Sequence, residues 1–260
     1  MKIAVLRRTS ASLAVLGLAV LGLAAPGLPA SASAAPTFAF KTKALPIPGF
    51  PDTGNILGAG AVIQVEATIS GTEYGGFPPP LTGIKYYAPA GAQLHPQGFA
   101  TCAPSVIAAS GTAPCPKTSI AGPRGFGLGV VSFGDERVQE RASVQPLFAP
   151  GGNLEFFVDG VTPVSIEILA TGQVVGSSPP FGLEVIGEVP LIESVPGALD
   201  ASFLEGNIEV GAAHRHAGKT TSYVTLPRHC SPGGLAVKAE LSFLGGATAE
   251  ASYKMPCPRR

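Results

Sequence analysis

The residues best placed by type and spacing to do chemistry are His214 and His216, in the string Gly211-Ala212-Ala213-His214-Arg215-His216-Ala217-Gly218-Lys219. On a strand, residues two apart face the same way, so this pair can present two imidazoles to one metal ion. His229 or His95 would supply a third ligand. The same string also reads as an exposed hairpin end, since Gly211 and Gly218 flank it and Ala217-Gly218-Lys219 has turn composition. With no carboxylate or Cys close in sequence to complete a metal site, the hairpin end is the stronger reading and His214/His216 the metal alternative.

Other constellations are weaker. Ser132, in Gly129-Val130-Val131-Ser132-Phe133-Gly134, does not fit the G-x-S-x-G elbow, and no helical pattern follows it. Asp52 and Asp159 sit beside turn residues, where Asp bonds its own backbone. Glu184 and Glu188 share one face of a predicted strand and could serve as a carboxylate pair for glycoside chemistry, but a solvent face explains them better. Tyr74 and Tyr86-Tyr87 could line a sugar-binding groove, although the chain lacks Trp and ordinary packing accounts for them. The expectation is a protein that is not an enzyme and uses no cofactor.

All four cysteines, Cys102, Cys115, Cys230 and Cys257, follow a leader-like segment. An even number in an exported chain favours disulfides, and four allow three connectivities. The pairs Cys102–Cys115 and Cys230–Cys257 are preferred because each brackets a compact local segment. A Cys/His metal site is disfavoured, since no pair has C-x-x-C spacing.

The leader has three parts. Lys2, Arg7 and Arg8 give a positive start, Ala11–Leu23 is an apolar and small-residue run, and Ala30-Ser31-Ala32 and Ala32-Ser33-Ala34 are small-x-small sites. This is the layout of a secretory signal peptide over residues 1–32, with cleavage after Ala32 or Ala34. Removing residues 1–32 leaves fourteen basic against seventeen acidic residues, a formal charge of −3. Scattered charges of that sum predict no nucleic-acid partner. No second apolar stretch is long enough for a membrane span.

The elements that must position these residues read as strands. Residues 33–59 form a Pro-rich lead-in with an edge strand. Over 60–260, short β-branched and apolar runs alternate with Gly- and Pro-rich turns. The clearest is a hairpin in which Leu235, Val237, Ala239, Leu241 and Phe243 face one way, followed by Leu244-Gly245-Gly246 and then Ala247, Ala249, Ala251, Tyr253 and Met255. Val164, Ile166 and Ile168 mark another strand, with a turn opening at Gly172. Asp135-Glu136-Arg137 with Glu140-Arg141 reads as a solvated segment, and a subdomain boundary is expected near 134–142. No segment predicts a helix. About a dozen short strands at this spacing predict an all-β, antiparallel, sandwich-like fold, open to division into two packed subdomains.

Several strings carry a resemblance: Pro89-Ala90-Gly91, Gly98-Phe99-Ala100-Thr101-Cys102, Cys115-Pro116-Lys117-Thr118-Ser119, Val144-Gln145-Pro146-Leu147-Phe148-Ala149-Pro150-Gly151-Gly152, Ser222-Tyr223-Val224-Thr225-Leu226-Pro227, and Val237-Lys238-Ala239-Glu240-Leu241. Together they resemble a family of uncharacterised secreted proteins of high-GC Gram-positive, actinobacterial-type bacteria over most of residues 80–257. The resemblance implies location and a disulfide pattern but no activity. His214-Arg215-His216 stands where a Lys-rich turn is expected in relatives, which counts against a shared histidine site.

The function expected from these observations is a secreted, non-enzymatic structural or binding module of the cell surface or medium. Its partner would be a protein or glycan, met by loops, with the stapled segment Cys102–Cys115 first among them. An extracellular metal-binding protein and a secreted hydrolase are the rivals.

Overall fold

The computed structural model describes residues 35–50, 56–216 and 218–258. The expected signal peptide lies outside the described residues.

The strands are β1 (Thr37–Leu45), β2 (Val62–Ser70), β3 (Leu81–Pro89) and β4 (Gln93–Leu94), then the helix α1 (Pro104–Ser110), then β5 (Gly125–Phe133), β6 (Glu136–Phe148), β7 (Leu154–Gly160), β8 (Ile166–Gly176), β9 (Phe181–Glu188), β10 (Ser202–Val210), β11 (Ala213–His216), β12 (Lys219–Ser222), β13 (Val224–Thr225), β14 (Leu235–Phe243) and β15 (Thr248–Met255). Eleven of them form one antiparallel sheet in the order β1-β2-β10-β5-β6-β7-β8-β9-β3-β14-β15. Its edges, β1 and β15, lie against one another across a packed seam, where the rings of Phe40 and Tyr253 are 6.1 Å apart.

The fold is therefore all-β and antiparallel as expected, but the sheet curls almost into a barrel and is not a sandwich. An alternating strand shows that one face is buried. It does not show whether a second sheet or the far wall of the same sheet covers that face.

Inside and outside follow the alternation. Ile63, Val65, Ala67 and Ile69 of β2 face inward while Gln64 and Glu66 face outward, and Val237, Ala239 and Leu241 of β14 face inward while Lys238 and Glu240 face outward. The outer face carries ion pairs, Lys43–Glu66 at 3.2 Å and Lys238 with Glu240 and Glu250 at 2.8 and 2.9 Å. A charged exterior around an apolar interior is the reverse of a membrane barrel. No described helix is long and apolar enough to cross a membrane.

Three local expectations change. Gly134 and Asp135 turn the β5–β6 hairpin, so residues 134–142 lie inside a continuous sheet. Gly172 is not a turn but the middle of β8, where a Cβ would stand 3.1 Å from the Phe156 ring and 3.2 Å from Val185. A helix does occur: α1 has Pro104 at its start and Gly111 at its C-cap with φ +65°.

The cysteines pair as Cys102–Cys115 and Cys230–Cys257, with Cα separations of 5.4 and 5.8 Å. The first bond staples α1 to the outer wall, where the fully buried Ile107 packs on Leu147 and Phe157. The expected binding loop is thus a cover for an apolar stripe on β6 and β7. The second bond ties the residues after β15 to the segment before β14, beside Leu226, Leu235 and Met255.

Candidate functional site

The antiparallel registers place Ser70, Leu81, Phe133, Gly160, Glu188, Ser202 and Phe243 at one end of the barrel, and Val62, Pro89, Phe148, Leu154, Val210 and Leu235 at the other. The second end is filled by side chains. Ile56, Ala61, Leu226, Leu235 and Met255 form one buried cluster there, and Ala121, Phe148, Leu154, Tyr223 and Val224 another. We refer to it as the packed end.

The first end is crossed by backbone. Residues 189–201 must span from β9 to β10, which are not neighbours in the sheet, and they pass over the opening. This strap is held by hydrogen bonds. Ser194 Oγ donates to the Ser132 carbonyl at 2.7 Å and accepts from Ser132 N–H at 2.9 Å, and Ser132 Oγ donates to the Leu199 carbonyl at 3.1 Å. Asp200 N–H donates to Tyr74 Oη at 3.2 Å, tying the strap to the β2–β3 segment. Exposed apolar residues gather at this end: Phe133, Val161, Leu191 and Leu199.

Between the ends lies a cavity of about 340 Å³. Its walls are the inward rows, among them Ile63 and Val65 of β2, Ala142 and Val144 of β6, Phe156 and Val158 of β7, Ile168 and Ala170 of β8, and Ile208 of β10. Eight strands give a barrel that side chains just fill, and eleven give a wider one. Small inward residues widen it further, including Ala142, Ala170 and Gly187. At the Gly127–Gly206 pair the room is taken by the Phe203 ring, since a Cβ on Gly206 would meet it at 2.6 Å.

The cavity holds little polar chemistry. Glu140 is the carboxylate directed inward. It is 1% exposed, and its two oxygens accept from Thr162 N–H at 3.1 Å and Val164 N–H at 3.2 Å. That contact holds the β7–β8 loop across the strapped end, and among the described residues no Lys, Arg or His lines the cavity with it. Tyr86 and Tyr223 line the cavity with their rings, while their hydroxyl oxygens are buried in the wall, that of Tyr86 beside Thr42. Burial pushes both phenols up, each to about 12.

The residues singled out in the sequence do not converge on this site. His214 sits on β11 with its ring edge-on to Phe99 at 4.7 Å, in a stack that continues through Phe148 and Tyr223. The backbone register sets His214 opposite Thr221 and His216 opposite Lys219. His95 Nε2 is 3.1 Å from Thr225 Oγ1. Among the described residues no group of three or more His, Cys, Asp or Glu is placed to hold a metal ion. Glu184 and Glu188 lie on β9 opposite Tyr87 and Gly83 of β3. The tyrosines are dispersed: Tyr86 faces inward, Tyr87 packs on Phe181 outside, and Tyr74 lies under Arg137.

Sequence reasoning missed the cavity because no single strand encodes it. The signal that could have found it is the run of Gly and Ala at inward positions of β6, β8 and β9.

No protein-family model, curated protein or solved structure matches the chain.

Proposed function

We propose that this chain is an extracellular, non-enzymatic binding protein that carries a hydrophobic small molecule inside its barrel. The observation that carries the reading is the apolar cavity of about 340 Å³ within a wall whose outer face is charged. Ligand sites are concave, mostly apolar and a few hundred Å³ in volume. Secretion is supported by the leader-like segment 1–32 and by two disulfides, bonds that persist in oxidising compartments. The resemblance to secreted proteins of actinobacterial-type bacteria points to the same place.

The test is a titration of the purified, oxidised protein with 1-aminoanthracene, an apolar fluorophore uncharged at neutral pH. The expected result is saturable, one-to-one binding with a blue-shifted emission, lost in Ala170→Phe, which fills the cavity from β8. Should that variant fail to fold, Ala67→Leu makes a smaller intrusion from β2. Absence of saturable binding, or binding unchanged in the folded variant, would overturn the reading.

A further inference from the structure

Resting on that reading, we propose that the ligand is an uncharged, hydrocarbon-rich molecule, and that the cavity rejects the carboxylate of equal chain length.

The argument is one of charge. The charged side chain directed into the cavity is the acid Glu140; Glu188 stands at the rim on the exposed row of β9, and no Lys, Arg or His lines the cavity among the described residues. An anion entering would lose its hydration without meeting a cation, which is the costliest way to bury a charge. It would also stand in the field of the buried Glu140 carboxylate, whose backbone donors, Thr162 and Val164 N–H, are already engaged. The hydroxyls of Tyr86 and Tyr223 are buried without a hydrogen-bond partner, but as neutral donors they supply no positive charge to offset a buried carboxylate. The strand N–H groups are used in the ladders that build the barrel. A neutral chain meets none of these penalties, since it exchanges water for aliphatic wall along its whole length.

Size bounds the ligand. A cavity of ~150 Å³ lined by aliphatic side chains accepts benzene. The barrel has about 340 Å³, so by that measure it accepts a molecule on the order of a dozen non-hydrogen atoms. A decyl chain with one oxygen is of this size.

The experiment is isothermal titration of the delipidated, disulfide-bonded protein at pH 8 with 1-decanol, methyl decanoate and sodium decanoate, each below its aggregation limit. The expected result is binding of the alcohol and the ester, with decanoate at least tenfold weaker than 1-decanol. Decanoate within tenfold of 1-decanol would overturn the charge argument while leaving the cavity reading intact. Failure of all three to bind would overturn both. Ala170→Phe, or Ala67→Leu if the first does not fold, serves as the control for binding elsewhere. Affinity for 1-decanol that survives in the folded variant places the alcohol outside the barrel and overturns the proposal.

Discussion

At the packed end, Met255, Ala61, Leu226, Leu235 and Ile56 interlock under a disulfide, and Phe148, Tyr223 and Phe99 stack beside them. At the strapped end, a thirteen-residue segment without regular structure crosses the opening and is fixed through two serines, a tyrosine and a few backbone bonds. Leu191 and Leu199 of that segment are 44% and 40% exposed, while Met255 is wholly buried. Segments with few buried apolar contacts open at lower free energy than the global transition. On that ground the strap is expected to open at a lower free energy than the packed end. In this account the strapped end is the way into the cavity.

The comparison is broken most easily by Met255→Ala. Removing a fully buried Met is expected to lower global stability by about 2–5 kcal/mol, measured by urea unfolding. Equal damage from a strap substitution would contradict the division into core and cover. Cys230→Ala with Cys257→Ala is expected to remove about 3 kcal/mol; the same assay reads it, and a loss below about 1 kcal/mol would show that packing alone secures that end.

Alkaline pH probes the packed end and the wall together. Tyr223 and Tyr86 have folded pKa values near 12 because burial disfavours the phenolate. The unfolded chain ionises near pH 10, so the stability these groups carry is complete below pH 10 and falls as pH rises toward 12. A spectrophotometric tyrosine titration should show the Tyr86 and Tyr223 phenols resisting ionisation until the fold is lost, with Tyr87 also raised by desolvation and its acidic neighbours. Ordinary ionisation of all five near pH 10 in the folded protein would contradict their burial.

The smallest effect should come from Ser194→Ala. Loss of its two hydrogen bonds to Ser132 is expected to lower global stability by about 1–2 kcal/mol. In the wild-type protein, hydrogen exchange in residues 189–201 should be more than tenfold faster than in β14. Equal protection in both would mean the strap is not a separate unit.

The hairpin β14–β15 was fully legible, since strict alternation and a three-residue turn set its register, Phe243 N–H bonding the Ala247 carbonyl at 2.9 Å. The cysteine pairs were legible from the segments they bracket. The first half of β6 was not, because Arg137, Glu140 and Arg141 carry the composition of a solvated stretch. Tertiary partners decide otherwise: the Arg141 guanidinium lies over the Phe126 ring at 3.7 Å, and Glu140 is held inside by two backbone N–H groups. The helix α1 left a signal in Pro104 and Gly111, yet its burial depends on Leu147 and Phe157, far along the chain. Closure of the sheet was illegible for a similar reason. It rests on Phe40 meeting Val237, Ala239 and Tyr253 across some 200 residues of sequence, contacts that no local period encodes.

The most direct test of the account is a pair of thermal melts with saturating 1-decanol, one on the wild-type protein and one on Ala170→Phe. Ligand at one hundred times its dissociation constant adds about 2.7 kcal/mol, which for a chain of this size raises Tm by about 5–10 °C. The account predicts that rise in the wild type and no rise in the folded variant. Equal shifts in both, or no shift in either, would contradict a ligand-binding barrel.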